Sequence, residues 1–209
     1  MEKTNYLIKG LAEYKYINDY KLVFNTDFRV WIRYEELMQD EKLKAEDLAI
    51  SVLTLCFRDG LNILNYIDLE TAFNQILWFF TMGDFDNKTM EKTNDLEKES
   101  DVKEKSKIIY SFTYDWSSIY GAFMQCYKID LFDASMHWWK FKALFNSLSE
   151  DTQFAKILSY RSISISSKMS KEEKKFYRSM KKLYGLPDTR SEEEKERSFA
   201  KSLYSSMKD

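Results

Sequence analysis

Acid–base or nucleophilic work in this 209-residue chain would fall first to His137 and Cys126. His137 is the sole histidine, and an imidazole is the one side chain whose ordinary pKa lies near neutrality, so any conventional general base involves it. Cys126 lies eleven positions earlier, and a thiol activated by an imidazole across a helical hairpin would be a minimal nucleophile–base pair. The case stops there, because neither a third orienting residue nor a loop of oxyanion donors is recognisable beside them. The alternative places His137 in an apolar stripe with one ring nitrogen hydrogen-bonded to a neighbour. Metal and nucleotide chemistry find less still. Cys56 and Cys126 are 70 positions apart, which with one histidine gives no zinc spacing. The five glycines never cluster into a phosphate-binding or dinucleotide-binding loop. No metal and no cofactor is expected.

Binding is the other chemistry the residues offer. In His137-Trp138-Trp139-Lys140-Phe141, helical geometry turns Trp138 and Phe141 toward a core while Trp139 and Lys140 point elsewhere. Trp139 is then either covered by a second layer of protein or, with Lys140, part of a partner-binding patch. Residues 168–209 hold 12 Lys and Arg against 8 Asp and Glu, a local +4 that leaves −6 on the first 167 residues of a chain whose net charge is −2. Lys171, Lys174, Lys175, Arg178, Lys181 and Lys182 crowd one helix, and the first four are further partner-binding candidates. With no base-reading module visible, the basic helix reads as a solvated face before it reads as a nucleic-acid site.

The elements that must position these groups are mostly helices. Tyr14 to Ile17 and Tyr20 to Phe24 flank Asn18-Asp19 and predict a β-hairpin. Thr26 or Asp27 caps a helix carrying Phe28, Trp31, Ile32, Tyr34, Leu37 and Met38, expected to be buried on more than one side. Helices follow over Ala45 to Phe57 and from Asp68. Asp115 precedes a stripe of Trp116, Ile119, Tyr120, Phe123 and Tyr127, and Asp130 precedes one of Ala134, His137, Trp138, Phe141 and Leu144. Ser149 opens a shorter helix, and Ser170 with Glu173 forms a capping box for a helix ending at Gly185 and Pro187. Ser191 and Glu194 repeat that box before a weaker helix.

The fold class expected is mainly α, a helical bundle-like core with a small N-terminal hairpin. Its core would centre on Trp116, Tyr120, Phe123, Trp138, Phe141 and Leu144. Between Lys88 and Lys107, 12 of 20 residues are charged. That stretch divides the chain into 1–87, 88–107, 108–187 and a final helix over 188–209, as either a linker between units or an insertion within one. The longest apolar runs are too short to span a bilayer and no signal-like start is present, so a cytoplasm with reduced thiols is expected.

The ordered motifs Asn25 to Arg29 (with Asp27 and Phe28) followed by Trp31-Ile32, Tyr110 to Phe112 with Asp115 and Ile119-Tyr120, Ile129-Asp130-Leu131, His137 to Phe141, Tyr160-Arg161 and Leu186-Pro187 resemble a known family. It is the gp-fifteen-type tail-module family of long-tailed phages and prophages of Gram-positive bacteria. The resemblance implies a gene between those of the major tail protein and the tape measure protein, and carries no enzymatic residues with it. It implies a non-enzymatic tail assembly factor, a chaperone that binds the tape measure protein in the bacterial host cytoplasm and yields to major tail subunits. The alternative within phage biology is a structural component of the tail or head–tail junction; a homo-oligomer is compatible with either, and a membrane partner with neither.

Overall fold

The computed structural model describes residues 4–40, 42–84 and 109–187. The charged stretch from Lys88 to Lys107 and the weaker helix after Ser191 lie outside the described residues. A short helix α1 (Tyr6–Lys9) leads into strands β1 (Tyr14–Ile17) and β2 (Tyr20–Val23), antiparallel with Tyr14 opposite Val23 and Ile17 opposite Tyr20. The expected hairpin forms because the alternating pattern sets its register and Asn18 takes the left-handed conformation, φ 51°, in the turn. Phe24 then bridges to Phe57, tying the hairpin to the end of the second long helix.

The long helices are α2 (Phe28–Gln39), α3 (Ala45–Cys56), α4 (Leu69–Phe80), α5 (Phe112–Tyr127), α6 (Trp138–Asn146), α7 (Gln153–Ser162) and α8 (Lys171–Tyr184), with a 3-10 helix over Gly60–Asn65. The mainly α expectation is met. Asp27 and Asp68 cap α2 and α4 through Arg29 N–H (2.8 Å) and Thr71 N–H (2.7 Å). The Ser170–Glu173 box closes at both bonds. In α2 the buried stripe is Phe28, Trp31, Tyr34 and Leu37. Val30 and Ile32 flank that stripe and also pack against the core, so α2 is covered on more than one side, while Met38, near its end, is exposed.

Four other expectations need correction. α5 starts at Phe112, and Asp115 sits inside its first turns, buried, on the same stripe as Phe112, Ile119, Ala122 and Phe123. That stripe turns Trp116, expected in the core, out into solvent, with 56% of its surface exposed. The segment after Asp130 is irregular until Trp138, so His137 is the N-cap of α6 rather than a residue on its stripe. The next helix begins at Gln153, capped by the Thr152 hydroxyl, with Ser149 in the preceding turn.

One core cluster joins residues from both sides of the 85–108 stretch. Trp31 stacks on Phe79 at 4.7 Å, and Phe141 stacks on Phe28 at 4.7 Å and on Phe123 at 5.1 Å. Phe123, Trp138 and Phe141 of the expected core are buried, while Tyr120 and Leu144 are only partly so. The buried indoles of Trp138 and Trp139 donate to Phe80 O (3.0 Å) and Phe79 O (2.6 Å). They thereby supply side-chain donors to the last carbonyls of α4, of which Phe79 O also accepts from Met82 N–H at 3.2 Å.

Candidate functional site

The site grows from a join between two helix starts. Phe28 N–H donates to Met136 O (3.0 Å) and Trp138 N–H to Thr26 O (2.7 Å), so Asp27 and His137, the N-caps of α2 and α6, lie side by side. Nδ1 of His137 accepts from Trp139 N–H at 3.0 Å, and Nε2 lies 2.9 Å from Ala12 O. An amide can only donate and a carbonyl only accept, so the ring is neutral with its proton on Nε2. Burial pushes the His137 pKa down, against smaller upward pulls from the Ala12 carbonyl and Glu13. Both ring nitrogens are therefore held by backbone groups, and Cys126 is not among their partners. The other thiol, Cys56, is buried and its pKa is raised by that burial.

Arg29 extends the join into a surface. Nη1 pairs with Asp27 at 3.2 Å, and Nη2 donates to Leu131 O and Phe132 O at 3.0 Å each, fastening the turn after α5 over the start of α2. Asp130 shapes that turn from below: Oδ1 accepts from Phe132 N–H (2.9 Å) and Oδ2 from the Tyr120 hydroxyl (3.3 Å). Burial and the Asp130 charge raise the Tyr120 pKa. The side chain of Phe132 is held outward, 67% exposed, edge-on to Trp116 at 6.2 Å and tilted over Tyr120 at 5.0 Å. Between these rings and α2 runs an open groove of about 210 Å³, floored by Phe28, Phe112, Ile119 and Phe141 and flanked by Arg29, Ile32, Glu36 and Leu131.

A second join braces α5. The Arg161 guanidinium meets the Asp115 carboxylate in a fork, Nη1 to Oδ2 at 2.6 Å and Nη2 to Oδ1 at 2.8 Å, both residues buried. Ser111 N–H also donates to Asp115 Oδ2 (3.0 Å), while Arg161 reaches Ile109 O (3.0 Å) and Tyr184 O (2.5 Å). Tyr160, next to Arg161, stacks on Tyr184 at 5.8 Å and holds α8 against α7.

A family model described as bacteriophage Gp15 protein matches residues 8–186. The chain belongs to this family. No curated protein and no solved structure matches it. Within this Gp15-family chain, the motifs read from sequence converge. Asp27, Phe28 and Arg29 meet His137 to Phe141, Tyr120 meets Asp130, and Asp115 meets Arg161; Pro187 follows α8 and is exposed.

The partner-binding candidates divide. Trp139 is buried, edge-on to Tyr6 at 4.6 Å and to Trp78 at 5.5 Å, so the covering layer is real and this residue leaves the surface. Lys140, Lys171, Lys175 and Arg178 are exposed, and the half-buried Lys174 donates to Ser167 O (3.0 Å). None of these lines the groove. Sequence reasoning missed Phe132, whose signal was an aromatic residue isolated between Asp130 and Asp133, and it placed Trp116 inside. Among the described residues no His, Cys, Asp and Glu group could hold a metal, and no helix is long and apolar enough to cross a membrane.

Proposed function

We propose that the chain is a non-catalytic phage tail-assembly protein that holds a helical segment of the tape measure protein in its aromatic groove until major tail subunits displace it. The carrying observation is a coincidence of two independent sets of residues. Phe28, Arg29, Ile119, Tyr120, Leu131 and Phe141, which all lie in the motifs of the family resemblance, also line the groove. Its rim is Trp116 and Phe132, large apolar side chains left in water on a surface held by Arg29 and Asp130. An open apolar groove with an aromatic rim suits an amphipathic helix laid along it, and exposed tryptophan is the residue type most enriched at binding hot spots. The engagement of both nitrogens of His137 supports a role outside catalysis.

Co-expression with the tape measure protein followed by pull-down at low and high salt tests this. Apolar docking gives capture that survives high salt. A permanent place in the tail or at the head–tail junction is the second reading, favoured by the rigid hydrogen-bonded frame under the groove, which suits a lasting interface. Stoichiometric recovery of the protein from purified particles by mass spectrometry, without capture of the tape measure protein, would put that reading first.

A further inference from the structure

Helix α8 divides its surface cleanly between the protein and water. Residues 174, 177, 180, 181 and 184 face inward and are partly covered, while the remaining positions are exposed. The exposed face has two edges. Along one run Lys171, Lys175, Arg178 and Lys182, spaced four, three and four residues apart and so in one row along the helix. Along the other stand Phe176 and Leu183, 48% and 66% exposed and seven residues apart. Between the edges lie Glu172, in the first turn, and Ser179, seven residues on, whose hydroxyl turns back onto Lys175 O (3.0 Å) and leaves the C-terminal half of the strip shallow enough for a partner backbone to approach.

Neighbouring like charges at these spacings oppose helix formation, and no ion pair among the described residues engages any of the four cations. Glu172, three residues before Lys175 and so the acidic residue nearest the row, forms no ion pair with it among the described residues, and Glu173 is committed to the capping box. The row is thus a standing electrostatic cost on a helix that buries no residue fully, and an anionic partner would relieve it.

We propose that this face is a second docking surface, for an acidic amphipathic helix of a partner protein. The apolar edge selects that occupant. Carboxylates spaced like the cations would pair along one side while apolar residues cover Phe176 and Leu183 on the other. A phosphate backbone would satisfy only the cations and leave Leu183 in water. The surface shares no residue with the groove, so it stands or falls separately from the tape measure reading.

The test uses the full chain and a fluorescent, helix-stabilised synthetic peptide carrying Glu at matching four-three-four spacing with Leu along the adjacent stripe. Fluorescence anisotropy is read against a scrambled peptide of the same composition and against duplex DNA as competitor. The patterned peptide should bind at least about tenfold more tightly than the scrambled one. Lys175→Glu with Arg178→Glu should remove most of that binding and flatten its salt dependence, and Leu183→Ser alone should weaken it severalfold. Circular dichroism identifies any variant that fails to fold, and Lys182→Glu, at an exposed position, serves as an alternative charge reversal. Equal binding of both peptides, indifference to Leu183→Ser, displacement by DNA at equal affinity, or no binding at about 1 mM would each overturn the proposal.

Discussion

Replacing Arg161 by Met strips a buried carboxylate of its counter-ion without emptying much volume. Asp115 is 5% exposed and would lose two guanidinium bonds of 2.6 and 2.8 Å, keeping only the Ser111 amide at 3.0 Å. Breaking a buried pair from one side leaves an uncompensated charge and costs about 3–5 kcal/mol, a large part of the roughly 5–15 kcal/mol that holds a domain together. Removing both charges, in Asp115→Leu with Arg161→Met, abolishes the stranded carboxylate. It still leaves Ser111 N–H and the carbonyls of Ile109 and Tyr184 without these partners, for a net loss of about 1–3 kcal/mol. The double variant should therefore be more stable than Arg161→Met alone. Urea unfolding followed by tryptophan fluorescence and by circular dichroism measures both, provided the slope with denaturant stays constant. A loss below about 1 kcal/mol for Arg161→Met, or a double variant less stable than the single one, would refute the reasoning.

Phe141→Ala should cost about 3–5 kcal/mol, read in the same urea experiment, because this 1% exposed ring stacks between Phe28 and Phe123. Trp116→Ala, which empties a solvent-exposed site, should stay within about 0.5 kcal/mol of the parent. His137 has a folded pKa below its unfolded value of about 6.5, because burial disfavours the charged ring. Protonation also removes the acceptor that Trp139 N–H uses. Its stabilising contribution is thus complete above the unfolded pKa and is lost as pH falls through that value toward the lower folded one. Urea midpoints at pH 7.5 and 5.5 should show this decline, and His137→Asn, which keeps a capping oxygen but cannot titrate, should reduce it.

Local signals read from the sequence succeeded where a short stretch fixes its own conformation. The Tyr14 to Phe24 hairpin, the Asp27 and Asp68 caps and the Ser170–Glu173 box each involve partners within a few residues, so residue type and spacing suffice. Asp115 and Asp130 carry the same local signature as the true caps, yet one is buried against Arg161, 46 residues away, and the other shapes a turn beneath Phe132. Those distant and turn-forming partners are invisible in a local pattern. The error over Trp116 follows from the first of them. A charged residue on the buried stripe rotates α5 relative to the purely apolar reading, and the aromatic residue beside it emerges at the rim of the groove. The motif residues of the site were legible one by one; that Asp27 would lie beside His137, and Arg29 over Phe132, came only with the tertiary fold.

The central claim is that the rim of Trp116 and Phe132 holds a tape measure helix. Its most direct test is the affinity of the purified chain for tape measure protein segments, measured by titration calorimetry for the parent and for Trp116→Ala with Phe132→Ala. If both rings are hot-spot contacts of about 2 kcal/mol each, affinity falls roughly 700-fold while the urea midpoint stays near that of the parent. Unchanged affinity in a folded double variant, or no measurable binding by the parent, would contradict the claim.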